Sequence, residues 1–164
     1  HGSVQFRTAG ACETSLDLEP TATAGEGDGY EHLSGVCKTT TDSDFVSTWQ
    51  SDGAGIRCFA PGLSGAEILT GLAPGNPPTD LHTTLIQRRH TGTTAFLSLF
   101  HPHARTPRIT SVAWIGRNLA ETGWAGCTVH LPGASEHWTL RLTSDAVAPP
   151  GPEKVDAQFE YLLD

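Results

Sequence analysis

The sequence predicts an all-β protein, an antiparallel β-sandwich of many short strands. Three observations carry this. β-prone runs recur about every ten to thirteen residues. Turn formers separate them, with 18 Gly and 11 Pro in 164 residues. Several runs alternate apolar and polar residues with period two, as a half-buried strand does.

Strands are expected over residues 3–7, 30–39, 45–50, 55–60, 66–72, 83–88, 94–100, 108–115, 127–131, 137–143 and 157–163. In 94–100, Ala95, Leu97 and Leu99 share one face, and Phe96, Ser98 and Phe100 the other. In 137–143, Trp138, Leu140 and Leu142 alternate with Thr139, Arg141 and Thr143, which makes Trp138 a core residue; Trp114 reads the same way. The breaks fall at residues 25–29, Asp52-Gly53, Pro61-Gly62, 74–78, Thr91-Gly92, Pro132-Gly133 and 149–152. Residues 115–121 read as a loop with at most one helical turn. The whole of 1–164 reads as one β-sandwich domain, in which 146–153 forms a linker to a last edge strand.

Composition excludes some classes. No apolar run approaches the ~20 residues of a membrane-spanning helix, so no membrane partner is expected. The formal charge of −8 argues against a nucleic-acid partner. The chain has no Met, which points to a processed product or a piece of a longer chain. Residues 1–80 hold eleven acidic side chains and three basic ones, whereas 81–120 hold no acid, five Arg and four of the eight His. That middle segment is either a local anion site or a set of arginines paired with the acidic flanks across a sheet.

Cys12, Cys37, Cys58 and Cys127 show no CxxC spacing. With two Lys and an even cysteine count, two disulfides of a secreted, extracellular protein are expected; four buried free thiols are the alternative. The connectivity stays open.

The candidate contact residues are Arg88, Arg89, His101, His103 and Trp124. Arg88 and Arg89 precede a Thr91-Gly92 turn and face opposite sides of a strand. His101-Pro102-His103 closes a predicted strand. Two imidazoles at that spacing face one side and suit a metal, but a solvated strand end is the simpler expectation. Trp124 lies among small residues in Gly123-Trp124-Ala125-Gly126, which suits an exposed ring that stacks on a sugar. Residues 25–29 (Gly-Glu-Gly-Asp-Gly) offer acidic oxygens without the ligand series of a calcium loop. GxSxG, HExxH and GxxxxGK[ST] motifs are missing.

The order of short motifs resembles the C-terminal β-sandwich of heparinase II/III-like polysaccharide lyases, a group that includes oligoalginate lyases. The matching stretches are Gly29-Tyr30-Glu31-His32-Leu33, Thr48-Trp49, Gly71-Leu72-Ala73-Pro74-Gly75, Leu85-Ile86-Gln87-Arg88-Arg89 and the run from Thr94 to Pro102. His1-Gly2 looks like the end of a further family motif. The resemblance covers roughly residues 1–145. It implies β-elimination at a uronic-acid glycosidic bond: one side chain removes the proton at C5, a Tyr protonates the leaving oxygen, and the carboxylate is neutralised. In the family the catalytic residues lie on an N-terminal helical domain, and a structural zinc lies earlier in the β region. The resemblance therefore implies no catalytic residue and no cofactor within this chain, with Arg88 and Arg89 as scaffold. The implied partners are the N-terminal remainder of the same precursor and an acidic polysaccharide. A self-contained carbohydrate-binding or structural β-sandwich is the alternative.

Overall fold

The computed structural model describes residues 2–8, 10–22, 30–90, 93–143, 145–149, 151–152 and 154–162. In chain order the strands are β1 (Gly2–Thr8), β2 (Ala11–Thr14), β3 (Glu19–Pro20), β4 (Ser34–Thr41), β5 (Phe45–Ser51), β6 (Ala54–Ala60), β7 (Ala66–Pro74), β8 (Leu81–Arg89), β9 (Leu99–Ala104) and β10 (Ser111–Gly116). One helical turn follows, α1 (Leu119–Thr122), then β11 (Trp124–Leu131), β12 (Ala134–Arg141) and β13 (Ala157–Leu162). No described helix is long and apolar enough to cross a membrane.

Among the described residues the strands form three sheets, ordered β1-β8-β7-β4-β3, β2-β5-β6-β9 and β10-β11-β12-β13. The all-β sandwich is therefore the observed fold. The first two sheets face each other across one core. Phe45, Trp49, Cys58 and Ala60 of the second sheet meet Ile68 and Leu85 of the first, with Phe6, Cys12 and Leu16 packed around them. The far face of the first sheet is covered as well: Val36, Leu69 and Ile86 lie under Tyr30 and Leu33. This explains why β7 and β8 lack clean alternation. Ile68-Leu69 and Leu85-Ile86 are adjacent residues buried on opposite faces, as central strands covered on both sides must be.

The third sheet differs from the antiparallel expectation in one pair. β12 and β13 run parallel, with Trp138 beside Phe159 and Leu140 beside Tyr161. The described part of the connection between them includes Gly151, which lies against the His137 ring, where a Cβ would come within 2.5 Å. The expected linker 146–153 is thus, in its described residues, a crossover laid on the sheet, and β13 is the edge strand. The third sheet is tied to the sandwich by Arg117, which donates to Asp44 at 3.1 Å, and by Arg57, which donates to the Ile109 carbonyl at 3.2 Å.

Two short strands, β2 and β3, were not legible as β-prone runs. The expected strand 94–100 is displaced: residues 94–98 are irregular and β9 begins at Leu99. His101 and His103 consequently sit inside a strand, half-buried, and not at a solvated strand end.

The expected disulfides are corrected: all four cysteines are free thiols. Cys37 lies on the first sheet and Cys127 on the third. Cys12 and Cys58 share a core but belong to β2 and β6, with β5 between them. Two strand spacings are about 10 Å, beyond the ~7 Å between Cα atoms that a disulfide spans. Burial pushes the thiols of Cys12, Cys58 and Cys127 up to about 11. The neighbouring Glu13 adds to the shift at Cys12.

Candidate functional site

The register of the third sheet builds an aromatic row. Trp114 pairs with Cys127, and Cys127 with Trp138, which pairs with Phe159. Registered residues share a face, so Trp114, Trp138 and, two residues on, Tyr161 point one way. Trp138 lies 5.2 Å from Phe159 and 6.2 Å from Tyr161 between ring centroids. Its indole Nε1 donates to Glu136 at 3.0 Å, which holds the ring's orientation.

This face does not close into a core. Between it and the segment that leads into β9 lies a cleft of about 580 Å³, with Leu97, Leu99 and His101 opposite Trp114, Trp138 and Tyr161. Arg108 and Ile109 line it as well. That volume is in the ~300–1,000 Å³ range of small-ligand sites. Trp114 and Trp138, expected in the core, are half-buried walls of this cleft. Flat apolar rings beside a few polar groups suit a ring-shaped ligand with one apolar face and polar edges, because C–H bonds stack on aromatic faces while hydroxyls find donors and acceptors.

His101 is the expected contact residue that reaches the cleft. Burial lowers its pKa, and the charges of His103, Arg57 and Arg108 add to the effect, so the ring is neutral at neutral pH. His103 shares its face, with ring centroids 5.8 Å apart, but borders a neighbouring hollow with Trp49 and Gly55. A Cβ at Gly55 would come within 2.7 Å of the His103 ring, so a side chain there would make that ring shift. Among the described residues, no group of three His, Cys, Asp or Glu side chains could hold a metal ion.

Neither a protein-family model nor a curated protein matches this chain.

Trp124 faces away from the cleft, three residues from Cys127 on an alternating strand. Its ring covers Gly116, where a Cβ would come within 2.3 Å of it. Arg88 and Arg89 are 6% and 7% exposed, belong to the first sheet and do not line the cleft. Arg88 Nε donates to Glu67 at 2.7 Å, and His90 Nε2 lies 2.8 Å from the same oxygen. Burial by itself raises the Glu67 carboxyl, but the hydrogen bonds from Arg88 and His90 and their charges outweigh it and hold the group below its ordinary range. The Gly-Glu-Gly-Asp-Gly segment 25–29 and the Thr91-Gly92 turn lie outside the described residues.

Sequence reasoning placed Trp114 and Trp138 in the core and missed Tyr161; Arg108 lay in the 81–120 segment read as an anion site but was not singled out. Trp138 carried a signal, the period-two run that it shares with Leu140, but that run reads equally as core. Arg57 could be placed only once the β6–β9 register was known.

Proposed function

We propose that this chain is the terminal β-sandwich part of a secreted polysaccharide lyase that cleaves uronic-acid-containing polysaccharide by β-elimination. In this reading it supplies scaffold and one wall of a sugar-holding cleft, and the proton-transfer groups stand on the remaining part of the same precursor. The observation that supports it best is the cleft walled by Trp114, Trp138 and Tyr161 with Arg108 and His101 alongside: aromatic faces for pyranose rings beside nitrogen donors for acidic substituents. The ordered motifs from Tyr30 to Pro102 support the lyase parentage. The buried Arg88–Glu67 pair fits a scaffold role for the arginine pair.

In such a reaction the base takes the C5 proton, the electron pair forms the C4–C5 double bond, the C4–O bond breaks and the leaving oxygen receives a proton. The part assigned to this chain is to hold a neighbouring sugar in register, so its contribution falls mainly on binding.

The self-contained sugar-binding module is the second reading, favoured by the core that the first two sheets close within this chain. Titration with a glucuronate-containing tetrasaccharide, followed by tryptophan emission, tests what both share. Saturable change is expected, and unchanged emission over the accessible range overturns both. Adding this chain to the remainder of the precursor separates them. Formation of unsaturated uronate that depends on this chain supports the lyase reading, and its absence despite binding leaves the module.

A further inference from the structure

The core between the first two sheets runs out beside Trp49. There the second sheet carries two registered rows, Trp49–Ile56–Pro102 and Ser51–Ala54–Ala104. Registered residues share a face. Trp49 packs in the core with Phe45 and Ile68, so both rows look towards the first sheet. The outer row holds only small side chains, too short to fill a layer about 10 Å thick. They leave a hollow of about 520 Å³, with Thr8 of β1 in its wall and Gly55 and His103 at its border. None of its lining residues belongs to the Trp114–Trp138 cleft.

One polar group of this hollow is not satisfied by the core. Trp49 is 2% exposed, and its indole Nε1 has no hydrogen-bond partner among the described residues. A buried indole N–H ordinarily finds an acceptor, and leaving it unmade is costly. The indole is a donor only, so the group that answers it is an acceptor. The rest of the lining restricts that group further. Ile56, Pro102, Ala54 and Ala104 offer apolar surface, and among the described residues no Lys, Arg, Asp or Glu lines the hollow. A charged ligand would be buried there without a counter-charge, which is unfavourable.

We propose that this hollow at the mouth of the sandwich binds a neutral, mainly apolar molecule that carries one hydrogen-bond acceptor, such as a ketone carbonyl. The acceptor takes the Trp49 Nε1 hydrogen, and the hydrocarbon part lies against Ile56 and Pro102. The site does not depend on the sugar-binding reading. Its volume is in the ~300–1,000 Å³ range of small-ligand sites, and apolar walls around a single placed polar group are the ordinary composition of such sites. Apolar contact supplies most of the binding, and the indole fixes the orientation.

Two measurements test it. The first uses cyclohexanone as the probe. It is compared with cyclohexane, the same ring without an acceptor, and with cyclohexanecarboxylate, which adds a charge. The readout is the Trp49 indole N–H resonance, assigned by its loss in Trp49→Phe. Cyclohexanone is expected to move it downfield to saturation, whereas cyclohexane brings no acceptor and produces no such shift. The carboxylate is expected to bind about tenfold or more weakly than the ketone, because nothing offsets its charge. An unmoved resonance, an equal downfield shift with cyclohexane, or a carboxylate that binds as tightly as the ketone overturns the proposal. The second measurement repeats the ketone titration in Ala104→Leu, which fills the hollow from β9 and leaves Trp49 in place. Position 104 is exposed at the end of an edge strand, so the variant is expected to fold. Loss of the ketone response supports the site, and a retained response overturns it.

Discussion

Arg88 donates its Nε hydrogen to Glu67 at 2.7 Å across the β7–β8 pair, and the guanidinium is almost wholly covered while the carboxylate is partly open. Glu67 also receives His90 and has Lys38 at 4.0 Å. One carboxylate thus serves three basic groups at the end of the central strands.

Replacement of Glu67 by Gln removes the carboxylate charge that Arg88 donates to and keeps only a neutral amide acceptor. The expected cost is about 1 kcal/mol, the difference between a charge-assisted and a neutral hydrogen bond. It is read as a lower midpoint in urea with an unchanged slope. The pH dependence has a definite sign. The folded pKa lies below the unfolded one, so this stabilisation is fully present above the ordinary carboxylate range of about 4.3 and is lost as pH falls through the lowered value. The Gln variant lacks that acid limb, and a limb retained in the variant refutes the assignment.

Thiol chemistry checks the corrected cysteine reading. Four reactive thiols are expected in denaturant. In the native protein Cys12, Cys58 and Cys127, with pKa values near about 11, react slowly at neutral pH because little thiolate is present. A reductant leaves the melting temperature unchanged. Two or fewer thiols in denaturant would restore a disulfide.

Two tryptophans on opposite faces of β11 and β12 make a paired test of the cleft. Trp138→Ala is expected to weaken oligouronate binding about 2- to 10-fold, the range of one aromatic contact. Trp124→Ala, which uncovers Gly116 on the other face, leaves affinity unchanged and lowers stability. If both variants bind alike, the aromatic wall is not the binding surface.

The His101 ring should titrate below the ordinary histidine midpoint of about 6.5. Since the folded pKa is depressed, its contribution to stability is present above the unfolded value and is lost as pH falls through the folded one. An imidazole titration by NMR checks the direction, and a midpoint at or above the ordinary value contradicts it.

The sandwich was legible because turn formers and period-two runs are local signals. Phe45 and Trp49 on β5 alternate with polar residues as their burial requires. β2 and β3 escaped because four residues and two residues are too short for a period to register. β9 was displaced because 94–98 alternates as well as any strand, yet finds no partner in the sheets. The cleft was illegible for a different reason. Whether the row Trp114, Cys127, Trp138 is core or wall depends on what packs over it, and no local pattern encodes that. The parallel docking of β13 and the pairing of Arg57 with His101 are likewise non-local facts.

The antiparallel register of β1 with β8, Gly2 opposite Arg89 and Thr8 opposite Thr83, sets a timetable for synthesis. A ribosome delivers β1 well before β8, its sheet neighbour among the described residues, a wait of roughly 4–15 s at ~5–20 residues per second. For that interval Val4 and Phe6 lack this partner strand, a state that invites the wrong neighbour. The first sheet thus completes late, and its slowest step is a closure between segments that emerge far apart in time.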